Sequence, residues 1–445
     1  MGRAARWHRR PGWVALATCL AIAALATLAD VPAAALGDPT ASEPSSGRTL
    51  FRDPVSTRTA VRIATQRATP VRAPFPLDQT FALHSLPGSA HTIFLDFDGG
   101  VVSGTAWNEP DVGLEARAYS GWVIDGQDPL GATELGSIQS VWQRVAEDFA
   151  PFDVDVTTQD PGPEALDRTG PDDPSYGTRV LVTSSKAAMR AACTYVCSGS
   201  AWYDVFDLTT GHDFYQPALV FPRMVGDDVK NLAEVISHEV GHNFGLLHDG
   251  SATDGYYGGH RSWAPIMGAG FGRPIVQWSR GDYAGANNQQ DDLAIIAANG
   301  APLRDDEAGG TTEGAGPLPA GPAYITDDAD VDVYALGSCT APVTLSARRA
   351  PASPDLDIRL SLLRADGTVV TSANPPSRMK TRDRASGMSA RVEASVPAGS
   401  YFVAVEGVGR RGPVEGYGGY GSVGSYTLRQ TGCLPAAVPE GAAAR

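Results

Sequence analysis

The pattern of apolar and polar residues divides the chain at about residue 300. Before that point, short β-branched and aromatic runs alternate with longer stretches in which apolar residues recur every three or four positions. The run HTIFLDFDG (91–99) predicts a strand, and ELGSIQSVWQRVAEDFAPF (134–152) predicts a helix that Pro151 ends. Strands that alternate with helices are typical of a mainly parallel sheet.

Two further runs in this region predict an edge strand and a long helix. The polar and aromatic run SAWYDVFD (200–207) predicts the exposed edge strand of the sheet. From Asp228 the pattern returns to that of a helix, whose apolar stripe consists of Leu232, Val235, Ile236, Val240 and Phe244. The fold class expected for residues 89–300 is therefore α/β (α+β), with a mixed, mainly parallel sheet.

The chain changes character after residue 300. Residues 301–320 are rich in glycine, proline and acids and predict a linker. Residues 321–434 contain short alternating runs such as VDVYALG and YFVAVEG between glycine-rich turns, without a helix pattern. This region predicts an all-β sandwich, and residues 435–445 form a short tail.

The first 88 residues predict processing rather than a folded core. Residues 1–35 combine arginines, an apolar run and a small-residue cleavage site, as in a secretory signal peptide, with an uncleaved membrane anchor as the alternative. Residues 36–88 are rich in Pro, Thr, Ser and Arg and predict a propeptide or a disordered segment. They contain no cysteine that could cap a metal. Asp78 could do so as a carboxylate, with a solvated loop acid as the alternative.

The composition narrows the class of partner and the source. A formal net charge of −15 disfavours nucleic acid and anionic membranes, because both would be repelled. The chain has 32 arginines against three lysines, which is typical of a G+C-rich bacterial genome. Together with the signal peptide, these features predict a protein secreted by a bacterium, with no membrane association in its mature form.

The five cysteines predict two disulfides. Cys19 lies in the predicted signal peptide, and the other four fall into two pairs, Cys193–Cys197 and Cys339–Cys433. An even number of cysteines in an exported chain favours disulfide bonds. Metal ligation by the closely spaced first pair is the alternative, although no second thiol pair lies nearby in the sequence.

The run SHEVGHNFGLLHDG predicts a metal site. His238 and His242 are four positions apart, so their imidazoles project from the same face of a helix. His248 cannot reach them along a continuing helix, but Gly245 can adopt the left-handed conformation that ends a helix and turns the chain back. Three imidazoles leave a fourth position for water, which Glu239 could hold, and this set predicts one catalytic Zn²⁺. The alternative is a helix whose histidines face solvent or a polar core.

The segment HEVGHNFGLLH resembles the signature of the metzincin zinc endopeptidases. Met267 follows where these enzymes carry a methionine turn, and the resemblance implies that it forms an apolar floor beneath the ligands. Asp249, directly after the third histidine, resembles the adamalysin (reprolysin) branch, in which that acid braces the site. The resemblance covers residues 89–300. Residues 321–434 are similar to bacterial pre-peptidase C-terminal domains, which implies a role in secretion or in binding matrix or substrate.

The resemblance implies a secreted zinc endopeptidase that acts on proteins or peptides, with Glu239 as the general base. An extended substrate would pair with the edge strand at residues 200–207. Two alternatives stay open. One is a secreted adhesin that binds matrix or a cell-surface polymer and whose zinc site is inert. The other is a zinc amidase that acts on a non-peptide amide.

Two smaller groups of residues are further candidates. The loop between the third histidine and the methionine turn contains three side chains that could hydrogen-bond an oxyanion, with an ordinary loop role as the alternative: Tyr256, Tyr257 and His260. Acids at the start of the sandwich could bind Ca²⁺, with solvated turn acids as the alternative: Asp327, Asp328, Asp330 and Asp332.

Overall fold

The computed structural model describes residues 40–42, 47–54, 71–124, 130–193 and 196–434. The predicted signal peptide and the predicted tail lie outside these residues. Among the helices that are described, none combines the length and the apolar character needed to cross a bilayer.

The elements up to residue 300 are short strands, two long helices and three short helices. The strands are β1 (Ala41–Ser42), β2 (Leu50–Pro54), β3 (His91–Asp96), β4 (Gly99–Val102), β5 (Arg117–Ser120), β6 (Asp155–Thr157), β7 (Tyr176–Val182), β8 (Cys197–Trp202), β9 (Ala218–Val220), β10 (Trp263–Pro265) and β11 (Ile275–Gln277). The helices are α1 (Ala132–Asp148), α2 (Pro163–Leu166), α3 (Lys186–Ala192), α4 (Val229–Asn243) and α5 (Asp292–Ala298). The two long helices, α1 and α4, pack against each other, and α4 also packs on the sheet.

Seven strands form the main sheet, in the order β1-β2-β8-β9-β7-β3-β6. Strands β9, β7, β3 and β6 are mutually parallel. Strand β8 is antiparallel to β9, β2 to β8, and β1 to β2. The prediction of a mixed sheet is confirmed, but antiparallel pairings are as numerous as parallel ones. The difference arises because residues before 55, expected to precede the folded core, add two antiparallel strands.

The predicted edge strand is present but it is not exposed. It spans Cys197–Trp202, begins three residues earlier than predicted, and is buried throughout. The exposure prediction is wrong for this chain because β2 pairs along β8 from Leu50↔Trp202 to Asp53↔Gly199. Leu50 and Phe51 in β2 are fully buried.

After residue 300 the chain forms strands and one short helix, α6 (Gly412–Glu415). The strands are β12 (Ala323–Ile325), β13 (Val331–Arg349), β14 (Ile358–Arg364), β15 (Val369–Ala373), β16 (Arg378–Thr381), β17 (Arg384–Ser386), β18 (Ala390–Ala394), β19 (Gly399–Gly407) and β20 (Gly424–Leu434). The prediction that residues 321–434 are rich in β-strands is confirmed. The strands form a nearly closed, barrel-like antiparallel sheet, because the long, bulged β13 pairs with β18, β19 and β20.

Both predicted disulfides are present. Cys193–Cys197 links the end of α3 to the start of β8, and Cys339–Cys433 links the paired strands β13 and β20. These bonds indicate an oxidising environment.

The two halves of the chain share a core. Trp263, Ile275 and Tyr283 pack with Met388 and Tyr417 of the β-rich region. The β-rich region is therefore packed against the mixed-sheet region by apolar side chains, in addition to being joined to it by the chain.

Candidate metal centre

The segment that carries the three histidines forms a helix followed by a reversal of the chain. Asp228 caps the start of α4 by accepting a hydrogen bond from the Asn231 backbone N–H at 3.1 Å. The helix ends at Asn243, and Gly245 has a φ of +91°, in the left-handed region. The Leu246 N–H then donates to the Gly241 carbonyl at 2.9 Å, which turns the chain back towards α4. This turn brings His248 beside the two histidines of the helix.

The three imidazoles converge through their Nε2 atoms. His238 Nδ1 lies 2.9 Å from the Ile266 carbonyl, and His242 Nδ1 lies 2.7 Å from the Leu246 carbonyl. A carbonyl oxygen only accepts, so each Nδ1 carries the proton and each Nε2 of a neutral ring presents a lone pair. Burial, together with the neighbouring imidazoles, lowers the pKa of His238 to about 3, although Asp53 opposes the shift. His238 is therefore neutral.

The Nε2 atoms of the three rings lie close to one another and to the Asp53 carboxylate. His242 Nε2 and His248 Nε2 are 3.0 Å apart. His238 Nε2 is buried and has no hydrogen-bond partner among the described residues. Converging lone pairs in a buried position repel one another unless a proton or a cation lies between them. The arrangement fits a cation.

A carboxylate that was not predicted from the sequence completes the group. Asp53, the fourth residue of β2, places Oδ1 2.8 Å from His248 Nε2. Its Oδ2 lies 3.5 Å from His242 Nε2 and 3.6 Å from His238 Nε2. One ligand atom from each of these four residues lies within 4.8 Å of the others. Three imidazoles and one carboxylate form a buried group that could hold a metal ion.

Asp78, the acid considered from the sequence, is not in this group. It lies exposed in a short 3-10 turn, Leu77–Gln79. Asp53 reaches the site because β2 pairs with β8, and no local spacing in the sequence encodes that pairing. The only local sign is the apolar pair Leu50–Phe51, which is too short to predict a strand by itself.

Glu239 lies beside the metal group, between α4 and β8. Its side chain is fully buried, and a Cβ added to Gly199 of β8 would collide with its carboxylate. Burial, together with the negative charge of Asp53, raises the pKa of Glu239 well above its ordinary value.

Met267 and Asp249 both lie next to the metal group. Met267 is fully buried, and its sulfur would lie 2.5 Å from a Cβ added to Gly241, so the methionine packs directly against α4. The Asp249 N–H donates to the Met267 carbonyl at 2.8 Å. Burial raises the pKa of the Asp249 carboxyl to about 7, although Ser279 and His248 oppose the shift.

Only one of the three loop candidates reaches the metal group. The Tyr256 hydroxyl donates to Asp53 Oδ1 at 2.7 Å, and its ring centroid lies 4.3 Å from that of His248. The Tyr257 hydroxyl instead bonds His260 Nδ1 at 2.9 Å. These two residues pack away from the ligands, which is the ordinary loop role considered for them.

Strand β2 occupies the side of β8 along which a substrate was expected to bind. The Phe51 ring stacks on His242 with centroids 4.2 Å apart. Arg52 donates to the Ala192 carbonyl at 2.7 Å, and Arg48 pairs with Asp204 at 3.4 Å. The segment is thus held by backbone pairing, one aromatic stack and two arginine contacts, in addition to the carboxylate at the metal group.

A cavity of about 420 Å³ opens next to His238 and Glu239. One wall consists of Glu234 and Val235 on α4, and another of the glycine-rich loop that follows Met267. The β-rich region adds Arg382, from the tip of the β16–β17 hairpin. The space beside the candidate metal is therefore lined by both halves of the chain.

No protein-family model matches this sequence, and no curated protein shows significant similarity to it.

Proposed function

We propose that this chain is a secreted zinc-dependent endopeptidase, made as a latent precursor. The observation that carries the proposal is the convergence of three imidazole Nε2 atoms beside the buried carboxylate of Glu239, which lies against Gly199 of strand β8. Histidine nitrogen with one carboxylate or water is a donor set that suits Zn²⁺ in a four-coordinate site. The resemblance to the metzincins, in their adamalysin (reprolysin) branch, is consistent with this choice.

His238, His242 and His248 would hold the metal, which when bound supplies a Lewis acid that polarises a peptide carbonyl and acidifies water. Glu239 accepts the proton of the attacking water and delivers it to the leaving nitrogen. Neither carboxylate oxygen of Glu239 has a hydrogen-bond partner among the described residues, so both are available for these transfers. Strand β8 would orient an extended peptide by main-chain pairing, as β2 now does.

Latency follows from the position of β2. The Asp53 carboxylate lies where water and the scissile carbonyl would have to bind, and the β2 backbone uses the hydrogen-bonding edge that a substrate needs. Burial, together with the charge of Asp53, also keeps the pKa of Glu239 raised, which disfavours its acting as a base. Removal of the segment up to Pro54 would free the metal position, the strand edge and the base together.

The test uses the intact folded chain. A recognition sequence for a site-specific protease is placed between residues 55 and 70, and the released N-terminal segment is separated after cutting. We expect all samples to bind one zinc per chain, and only the cut wild type to cleave casein. Cut Glu239→Ala protein should bind zinc without cleaving.

The outcomes separate activity from latency. A cut, zinc-loaded wild type that leaves casein and a panel of unstructured peptides intact contradicts the endopeptidase proposal. An intact chain that cleaves as fast as the cut chain contradicts latency alone. Hydrolysis of small non-peptide amides in preference to peptides would support the amidase alternative.

The β-rich region is less consistent with a free-standing adhesin. Its apolar side chains share a core with the mixed-sheet region, and Arg382 lines the cavity at the metal group. We propose that this region, like pre-peptidase C-terminal domains, follows a protease domain in the chain. We also propose that it contributes to binding of the protein substrate. A matrix or cell-surface polymer remains a further proposed ligand for its outer face.

A further inference from the structure

We propose that a second metal site, suited to Ca²⁺, joins the linker to the β-rich region through Asp306, Asp330 and Asp332. One carboxylate oxygen of each lies within 4.8 Å of those of the other two. Asp306 lies after α5, Asp330 precedes β13, and Asp332 is the second residue of β13. This inference is independent of the proposed peptidase activity.

Asp332 is the residue that points to a ligand. Its side chain is fully buried, and Oδ1 has no hydrogen-bond partner among the described residues. Its Oδ2 accepts a hydrogen bond from the Tyr426 hydroxyl, which also bonds the Tyr334 hydroxyl at 3.0 Å. A buried carboxylate oxygen without a partner is costly, and a cation at the meeting point of the three carboxylates would supply one.

The other two carboxylates are held in place through one oxygen each. Asp330 Oδ2 accepts from the Thr326 backbone N–H at 2.7 Å and from its hydroxyl at 3.0 Å. Asp306 Oδ1 accepts from the Ala308 N–H at 2.8 Å. The charged groups that act most strongly on Asp330 and Asp332 are other carboxylates. Burial is the larger cause and raises the pKa of Asp332 to about 8, so without a cation this carboxyl holds a proton near neutral pH.

The chemistry of the group fits Ca²⁺ better than a transition metal. Its donors are hard carboxylate oxygens, and Asp306 is exposed, so water can complete the six to eight ligands, at about 2.3–2.6 Å, that Ca²⁺ takes. Mg²⁺ demands a smaller and near-octahedral shell, which three carboxylates, two of them from one short segment, satisfy less readily.

The ligands differ from those expected from the sequence. Asp330 and Asp332 were predicted, but Asp328 pairs with Arg280 at 3.3 Å. Asp327 accepts a hydrogen bond from the Ala329 N–H at 2.7 Å, as a turn residue does. Asp306 takes their place because the linker returns along β13, where Gly309 and Gly316 accept backbone hydrogen bonds from that strand. A bound ion would fasten the linker at the start of this return.

The experiment uses the full chain saturated with Zn²⁺ and measures tyrosine-sensitised luminescence of Tb³⁺, a Ca²⁺ analogue. The hydroxyls of Tyr426 and Tyr334 lie at Asp332, close enough to sensitise an ion there. We expect a saturable signal that Ca²⁺ displaces, with affinity at least about tenfold weaker in Asp306→Asn and Asp330→Asn, each of which removes one charged ligand. Asp328→Asn is the matched control and should bind Tb³⁺ as the wild type does.

Thermal unfolding provides a second readout. Ca²⁺ should raise the unfolding temperature of the wild type and of Asp328→Asn, and should raise it less in Asp306→Asn, because only the native state contains the site. Asp306 is exposed, so its substitution leaves the fold intact even if Asp330→Asn does not fold. No Tb³⁺ signal, or equal signals in all variants, would overturn the proposal. A buried Asp332 that is simply protonated predicts the first of these results.

Discussion

Gly199 lies where β8 passes closest to the side chain of Glu239. A Cβ at this position would collide with the Glu239 carboxylate, and the backbone there is not in the left-handed region. The glycine is therefore required for space rather than for its conformational freedom. It lets a strand pass directly over the proposed catalytic base.

We expect Gly199→Ala to displace the Glu239 carboxylate and to lower casein cleavage by the cut chain about 100-fold or more, the usual cost of a lost general base. Zinc content should stay at one per chain, because the three histidines are not touched. Gly170→Ala is the control, since a Cβ there meets nothing within 4 Å. Full activity in Gly199→Ala would show that Glu239 is not held where β8 places it.

Asp53 gives a second test at the level of one residue. Asp53→Asn keeps the shape of the side chain and removes its charge, so we expect the intact chain to acquire part of the activity of the cut chain. With Co²⁺ in place of Zn²⁺, the visible spectrum should also change, because a ligand is altered. Asp78→Asn, an exposed acid of the same N-terminal region, should change neither readout. An unchanged spectrum in Asp53→Asn would exclude Asp53 as a ligand.

The contrast between these residues shows what the sequence can predict. His238, His242, Gly245 and His248 lie within one turn of helix and one reversal, so helical periodicity and glycine conformation suffice to bring them together. Asp53 is 195 residues from His248 and reaches it only through strand pairing. Pairing of distant strands depends on register and burial, which a single sequence does not specify.

The β16–β17 hairpin is the element that links the β-rich region to the cavity. Arg382 at its tip pairs with Asp228 Oδ2, while Asp228 Oδ1 caps α4. The hairpin therefore contacts the start of the helix that carries two of the ligands.

We expect Arg382→Ala to raise the KM of the cut chain for peptides about fivefold, which corresponds to about 1 kcal/mol for a partly buried ion pair, with little change in kcat. The reason is that Arg382 lines the cavity but does not contact the metal group. Arg378→Ala, an exposed position on the same hairpin, is the control. A fall in kcat with unchanged KM would mean that Arg382 acts by positioning α4 through Asp228, and not by binding substrate.

Elements with strong periodicity were the ones that the sequence predicted. The apolar stripe of α4 is buried as expected, and α1 ends three residues before Pro151. Strand β2 was missed because its five residues do not alternate between apolar and polar and lie within a polar segment. The closed, barrel-like form of the β-rich sheet was also missed, because it depends on bulges in β13 that leave no mark in the pattern.

At the scale of the whole molecule, buried acids lie where the two halves meet. Glu147 at the end of α1 accepts hydrogen bonds from the Ser425 N–H at 3.0 Å and the Ser425 hydroxyl at 2.6 Å. Burial raises the pKa of Glu147 to about 8 and that of Asp148 to about 7. Burial and these two charges also raise the pKa of Asp355 on the other side of the contact.

These shifts give stability a defined pH dependence. Between the ordinary pKa of Glu147, 4.5, and its folded value of about 8, the native state binds more protons than the unfolded state. Stability contributed by the protonated group is therefore present at low pH and lost as pH rises, by up to about 1.4 kcal/mol per pH unit for one group.

We expect Glu147→Gln to unfold at about the same temperature as the wild type at pH 5 and at a higher temperature at pH 8, because glutamine stays neutral. Glu164→Gln, an exposed position on α2, should track the wild type at both values. A gap between Glu147→Gln and the wild type that does not change with pH would mean that the Glu147 carboxylate is already ionised in the native state.

The pairing of β2 with β8 has a consequence for the timing of activity. Within one chain the two strands meet at a high effective concentration, in the millimolar range for short connections. A single backbone cut after β2 turns this contact into an ordinary bimolecular complex, whose occupancy depends on how much protein is present. At high protein concentration the cut segment would stay bound and the proposed peptidase would stay inactive. Dilution would let the segment dissociate and so activate the peptidase. The strand β2 that blocks the site would then make activation depend on the dilution that follows the proposed secretion.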